Sequence, residues 1–140
     1  MISGFVADSS VGIAWVVPSQ SLEASDHLLE NINSGTPFLV PILWAFEVAN
    51  SLLVLTRRNR LDALQCSRAR EAILQLHPVI DDVGPGLALA DISEIAEKYA
   101  LSVYDAVYLE VALRKGLPLA SRDGALNKAA RRSGVKTLLD

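Results

Sequence analysis

Five apolar runs too short to be helices punctuate this chain: Phe5-Val6-Ala7, Phe38-Leu39-Val40, Pro78-Val79-Ile80, Leu117 to Ser121 and Val135 to Leu139. Between them the apolar residues recur at three and four, the helical period, and no hairpin turn joins one run to the next. Helices are expected from Ser9 to about Val17, over Leu22 to Ile32, from Ile42 to about Arg58, and over Leu61 to Leu76. A further helix shows Ile92, Ile95, Ala96 and Tyr99 on one face; another is headed by Asp105, and the last runs from Leu126 to Arg132, capped by Gly134. The Gly84-Pro85-Gly86 triplet reads as a turn. Strands separated by helices demand crossover connections, and crossovers make a parallel sheet covered on both faces. The expected fold class is therefore α/β, a three-layer α/β/α sandwich with a mainly parallel sheet in a single domain over residues 1–140.

Half of the residues are apolar, 51 %, enough for a full core and for an extra apolar face that a partner covers. Thirteen basic against sixteen acidic residues leave a charge of -3, so no global positive field draws in nucleic acid; a polyanion would be held by local patches or metal ions. The one cysteine, Cys66, forms no internal disulfide, and no Cys/His array has zinc spacing. The opening MISGFVADSS lacks a basic leader, and the apolar window from Pro41 to Leu55 falls short of the roughly 20 residues of a membrane helix. A cytoplasmic protein with a core helix at that window is expected.

Acids stand at the element boundaries. Asp8 ends the first strand, and Asp123 follows the Leu117 to Ser121 run, so both sit at carboxyl ends of strands, where open α/β sheets bind ligands. Asp105 heads an inward stripe continued by Leu109 and Ala112, and Glu47 lies among Leu43, Trp44, Phe46, Val48 and Leu52 with no Lys or Arg within a helical turn. Taken singly, each has a structural use: Asp8 as a helix N-cap, Asp105 as a first-turn acid behind a Ser102 cap, Asp123 as the Asp of an Asp-Gly turn, and Glu47 as a distant partner of Arg57 or Arg68 or as a partly exposed acid. Taken together, four carboxylates in one crevice repel one another unless a cation neutralises them. Oxygen donors without Cys or His favour Mg²⁺ or Mn²⁺, ions whose usual work is on phosphoryl groups. The implied chemistry is phosphodiester hydrolysis.

The order of these residues carries a resemblance. Asp8-Ser9-Ser10 after an apolar strand, Phe46-Glu47-Val48-Ala49-Asn50 in a helix, Tyr104-Asp105-Ala106 with Tyr108 and Ala112, and Ser121-Arg122-Asp123 resemble a PIN domain over essentially the whole chain, and more narrowly the VapC-type ribonuclease toxins. The resemblance implies a metal-dependent endoribonuclease with RNA as substrate, a homodimer restrained by a cognate antitoxin, and cleavage to 3′-hydroxyl and 5′-phosphate ends. Asp8, Glu47, Asp105 and Asp123 would form its catalytic, Mg²⁺- or Mn²⁺-binding centre. Asp8 and Asp123 would be the principal ligands, with Glu47 and Asp105 as further ligands or as the base. Ser9 and Ser121 would orient a carboxylate or a water. Arg122 would hold a phosphate or pair with an acid.

One position departs from the pattern: where many relatives place a further acid, Ala125 stands, with Asn127 nearby as a weaker oxygen donor. That departure favours the alternative, a PIN-like module that binds RNA or protein without cutting. The arginines at 57, 58, 60, 68 and 70 are read first as a solvated surface, His27 and His77 as without chemistry, and Trp15 and Trp44 as packing or dimer residues. The hairpin from Ile42 to Leu76 offers a face for a second subunit or an antitoxin helix.

Overall fold

The structure, a computed structural model, describes residues 3–139; the extremities of the expected domain, including Met1 and Ile2 of the leader reading, lie outside this range. Strands β1 (Phe5–Ala7), β2 (Phe38–Pro41), β3 (Val79–Asp81) and β4 (Leu119–Ala120) form one sheet in the order β3-β2-β1-β4. All neighbours are parallel, with Phe5 beside Phe38, Val6 beside Leu119 and Leu39 beside Val79. The chain steps outward from β1 to β2 and β3, then returns to place β4 on the other side of β1. The strand order therefore reverses between β1 and β4, and a crevice opens at their carboxyl ends.

Helices α1 (Ser9–Val16), α2 (Glu23–Asn33), α3 (Leu43–Arg57) and α4 (Ala63–Leu74) pack on one another. Helix α7 (Val103–Lys115) lies across β1, β2 and β4 and carries α5 (Gly84–Leu87), α6 (Ser93–Tyr99) and α8 (Gly124–Arg132) around it. Every residue of β1 is buried, as a central strand between two helical layers requires. An aromatic cluster ties the layers: Phe5 stacks on Phe38 at 6.1 Å between ring centroids, and Trp15 and Trp44 meet Phe38 edge-on at 5.3 and 5.9 Å. Both indoles are core groups, and Trp15 donates to the Ser25 carbonyl at 2.8 Å.

Three expectations are corrected. The Val135 to Leu139 run is no strand: it meets β4 through a single bridge, Leu119 to Thr137, flanked by hydrogen bonds from Leu119 N to the Lys136 carbonyl and from Leu138 N to the Leu119 carbonyl. With β4 only two residues long, there is no more ladder to extend. Gly84-Pro85-Gly86 does not turn but opens α5, with proline in the first turn where its missing N–H is harmless, and a π-helical stretch at Ala88–Ile92 kinks the path into α6. The Pro41 to Leu55 window is not wholly core: α3 buries Trp44, Val48 and Leu52, while Phe46 is 70 % exposed.

Away from the crevice, Arg114 near the end of α7 donates to Asp81 at 2.7 and 3.0 Å and to Glu110 at 2.8 and 3.0 Å. The guanidinium holds the Asp81 carboxyl below its ordinary range and clamps edge strand β3 to α7. No helix among the described residues is long and apolar enough to cross a membrane.

The approach of α1 to α3 depends on Gly12. A Cβ there would lie 2.9 Å from Cζ2 of Trp44 and 3.3 Å from Cγ2 of Val48, inside contact distance of two buried side chains. Gly12→Ala is therefore expected to destabilise the fold by about 1–3 kcal/mol, the usual cost of overpacking, read as a lower urea midpoint with an unchanged slope.

Candidate active site

The crevice is built around Asp8. As the first residue past β1 it is the N-cap of α1: its Oδ1 accepts from Val11 N at 3.2 Å and from Ser10 Oγ at 2.6 Å. Its Oδ2 accepts from Ser121 Oγ at the end of β4. The backbone is tied as well, with Asp8 N donating to the Ala120 carbonyl at 3.0 Å and the Asp8 carbonyl accepting from Trp44 Nε1 at 3.0 Å. Only 5 % of the residue is exposed. Burial drives its carboxyl from an ordinary 3.8 up to about 6, against the pull of Ser10, Ser121 and Val11, and the charge of Asp105 adds to the rise.

Asp123 lies three residues past β4, two beyond Ser121, as the N-cap of α8. Its N–H donates to Ser121 Oγ at 2.9 Å, and its Oδ1 caps α8 by accepting from Leu126 N at 2.8 Å. Ser102 caps α7 by accepting from Asp105 N at 3.0 Å, which sets Asp105 in the first helical turn facing the crevice acids. Glu47 reaches in from α3, where one of its oxygens accepts from the Tyr108 hydroxyl and Ser9 supplies a further hydrogen bond.

Electrostatics links all four acids. Burial raises the Glu47 carboxyl, Tyr108 opposes the rise, and Asp105 reinforces it; burial raises Asp105 in turn, with Asp123 adding to it. Asp105 thus interacts with each of the other three. Tyr108 lies between Glu47 and Asp8, and its hydroxyl is held firmly protonated by burial and by the Glu47 bond. The ion pairs among the described residues join Arg114 to Asp81 and Glu110, and His27 to Glu30; none reaches the crevice. Of the structural alternatives for Glu47, a pair with Arg57 or Arg68 is not formed, whereas partial exposure is: the residue is half-buried.

Of the supporting residues, Ser121 bonds Asp8 and Asp123, as a residue that orients carboxylates does. Ser9 turns toward Glu47 and Tyr108, while Ser10 takes the place beside Asp8 and also accepts from Arg122 N at 3.0 Å. Arg122 pairs with no acid among the described residues: its Nη1 donates to the Gln20 carbonyl at 2.8 Å. Asn127 donates from Nδ2 to the Ser121 carbonyl at 2.9 Å, and its buried Oδ1 has no donor. Sequence reasoning gave no role to Ser10 beside Asp8 and none to Tyr108 beside Glu47. For Tyr108 a signal existed, since it stands three residues after Asp105 on the same helical face.

These groups suit a hard divalent cation: all are oxygen donors, their negative charge lacks a basic partner among the described residues, and Asn127 Oδ1 is a buried neutral oxygen without a donor. The side chains are not drawn up into a finished cage, for among the described residues no three His, Cys, Asp or Glu groups are disposed to hold an ion as they stand. Asp8 and Asp123 are occupied as helix caps. Such a crevice fits an ion that keeps several of its own waters, as Mg²⁺ does.

Comparison with known proteins matches the family model described as PIN domain to residues 5–132. No curated protein sequence matches. Among solved structures, PAE2754 from Pyrobaculum aerophilum superposes with a TM-score of 0.74 at 24 % identity, over 99 % of this chain and 92 % of that one. FitAcB from Neisseria gonorrhoeae gives 0.65 at 18 % identity, covering 96 % of each chain. A toxin-antitoxin complex from Klebsiella pneumoniae gives 0.57 at 17 %, over 90 % of this chain and 89 % of that one. At these identities the likeness is one of fold.

The burial of Asp8 has a consequence for stability. The unfolded chain releases this proton near 3.8 and the folded one near 6, so the stability tied to it is full below the first value and is lost as pH rises through the second. The loss is roughly 3 kcal/mol. Metal-free protein is expected to melt at a lower temperature at pH 7 than at pH 5, and Asp8→Asn to flatten that slope, as calorimetry in EDTA would record.

Proposed function

Because the chain belongs to the PIN domain family, we propose that it is a Mg²⁺- or Mn²⁺-dependent endoribonuclease, the VapC-type toxin of a toxin-antitoxin pair acting in the cytoplasm. The observation that carries this reading is the electrostatic linkage of Asp105 to Asp8, Glu47 and Asp123 without a basic partner. Mutual repulsion of that kind is a standing cost in the free protein and an attraction for a cation. The Klebsiella pneumoniae relative is a toxin-antitoxin complex, which supports a protein antitoxin as partner. A homodimer with apolar helix faces in contact accords with the exposed Phe46, Leu53 and Ile42.

Asp8 and Asp123 would hold the ion, with Asp105 beside them. When bound, it supplies Lewis-acid chemistry, neutralising the phosphate and making a nearby water more acidic. Glu47 is the base: its raised proton affinity suits it to take the proton of the attacking water, and the Tyr108 hydroxyl fixes the carboxylate for that task. Water oxygen bonds to phosphorus, the bond from phosphorus to the 3′ oxygen breaks, and the leaving oxygen takes a proton from solvent. Products are a 5′-phosphate and a 3′-hydroxyl. Ser121 keeps Asp8 and Asp123 in register, and Ser10 does the same for Asp8 from the other side.

A mixed RNA pool is expected to be cut in Mn²⁺ or Mg²⁺ and left whole in EDTA. Asp8→Asn and Asp105→Asn should each lower the rate by at least about a hundredfold, and Ser121→Ala by roughly ten- to a hundredfold, as for groups that orient ligands. Cutting that survives both Asp variants rejects the site. Metal-independent RNA binding without cleavage of any pool member points instead to the non-cutting module.

The proposed ion should also be visible without turnover. Millimolar Mn²⁺ is expected to raise the melting temperature at pH 7, where protons compete with it for the carboxylates less than at pH 5, and to do so much less in Asp105→Asn. Equal shifts in both proteins would remove the metal from the proposal.

A further inference from the structure

Beside the acids lies a cleft of about 540 Å³, within the range of roughly 300–1,000 Å³ typical of small-ligand sites. Asp123 forms the wall it shares with the crevice. The remaining polar lining is neutral or positive: Ser10, Gln20, Asn50, Ser51 and Arg122, over a floor of Ile13, Val54 and Leu55. Amides carry a donor and an acceptor side by side, the complement of a base edge, and the aliphatic floor offers a surface for the ring. Arg122 spends part of its guanidinium on the Gln20 carbonyl, a neutral partner, so among the described residues no acid offsets its charge.

Helix α3 gives the cleft a direction. Glu47, Asn50 with Ser51, Val54 and Arg58 follow one another at three and four residues, on one helical stripe. From Glu47 to Arg58 the stripe is about 16 Å long at 1.5 Å per residue. It leads from the acids, past amide and hydroxyl, to a cluster of exposed guanidiniums at 57, 58 and 60. A neutral or basic peptide has no need of that cationic end. A polyanionic strand does.

We propose that this cleft is a nucleotide subsite: it receives the base next to the scissile phosphate, reads that base through Asn50 and Ser51 with Gln20 opposite, and passes the RNA strand along α3 toward Arg58. Its position as a flanking subsite rests on the nuclease reading; RNA binding in the cleft does not. Two measurements test it. In EDTA, randomised single-stranded RNA carrying 4-thiouridine is photo-crosslinked to the whole protein and the adducts are mapped by mass spectrometry; they are expected on the segment 50–55. In Mn²⁺, the base frequencies around the cut are read for wild type, Asn50→Ala and Ser51→Ala. Asn50 is exposed, so its truncation leaves the fold intact. The preference at one position beside the cut is expected to weaken about tenfold while other positions keep theirs. Adducts confined to surfaces outside the cleft, or a base profile unchanged in both variants, overturn the proposal. Adducts within the cleft from a protein that cuts no RNA would uphold the binding site and sink the nuclease reading instead.

Discussion

The carboxylate of Asp8 joins elements that come from distant parts of the chain. It caps α1, accepts from Ser10 within that helix, and receives the hydroxyl of Ser121 from the strand on the far side of β1; its own carbonyl accepts the Trp44 indole from α3. One buried acid thus fixes how β1, β4, α1 and α3 meet at the carboxyl end of the sheet. The hydrogen bonds stabilise its charge, yet burial outweighs them and keeps the proton affinity high. The same residue holds the architecture together and is the source of its electrical tension.

That tension is distributed by α7. The helix brings Asp105 to the crevice in its first turn and Tyr108 in its second, so one element sets both the acid that interacts with all the others and the hydroxyl that holds Glu47. At the opposite end Arg114 grips Asp81 and Glu110. Helix α7 is thereby held along its length, by buried packing in the middle and by polar bonds near each end.

Much of this was legible along the chain because it is local. Asp8 stops an apolar run and precedes a helix, so its seat at a strand end follows from two neighbours; Ser102 three residues before Asp105 marks a cap in the same way. The parallel order followed from crossovers. What depends on how elements cross in space was not legible. Which of Ser9 and Ser10 faces Asp8 is a matter of rotation at the first turn of α1, and the Tyr108 bond to Glu47 requires α3 and α7 to converge across 61 residues of sequence. Val135 to Leu139 has the composition of a strand, but its neighbour β4 is only two residues long. Arg122 had an acid next to it in sequence and chose the Gln20 carbonyl, brought close by the turn after α1.

The margins of the sheet carry one last implication. On one side β3 is three residues long and finishes in an aspartate already bound to arginine; on the other, β4 is overlaid by the stretch around Thr137. Both borders are too short to offer a long row of open amides and carbonyls, the usual template for adding a foreign strand. Margins this short disfavour runaway stacking of copies through backbone pairing, while the larger apolar side chains turned outward, such as Phe46 and Leu89, sit on helical segments.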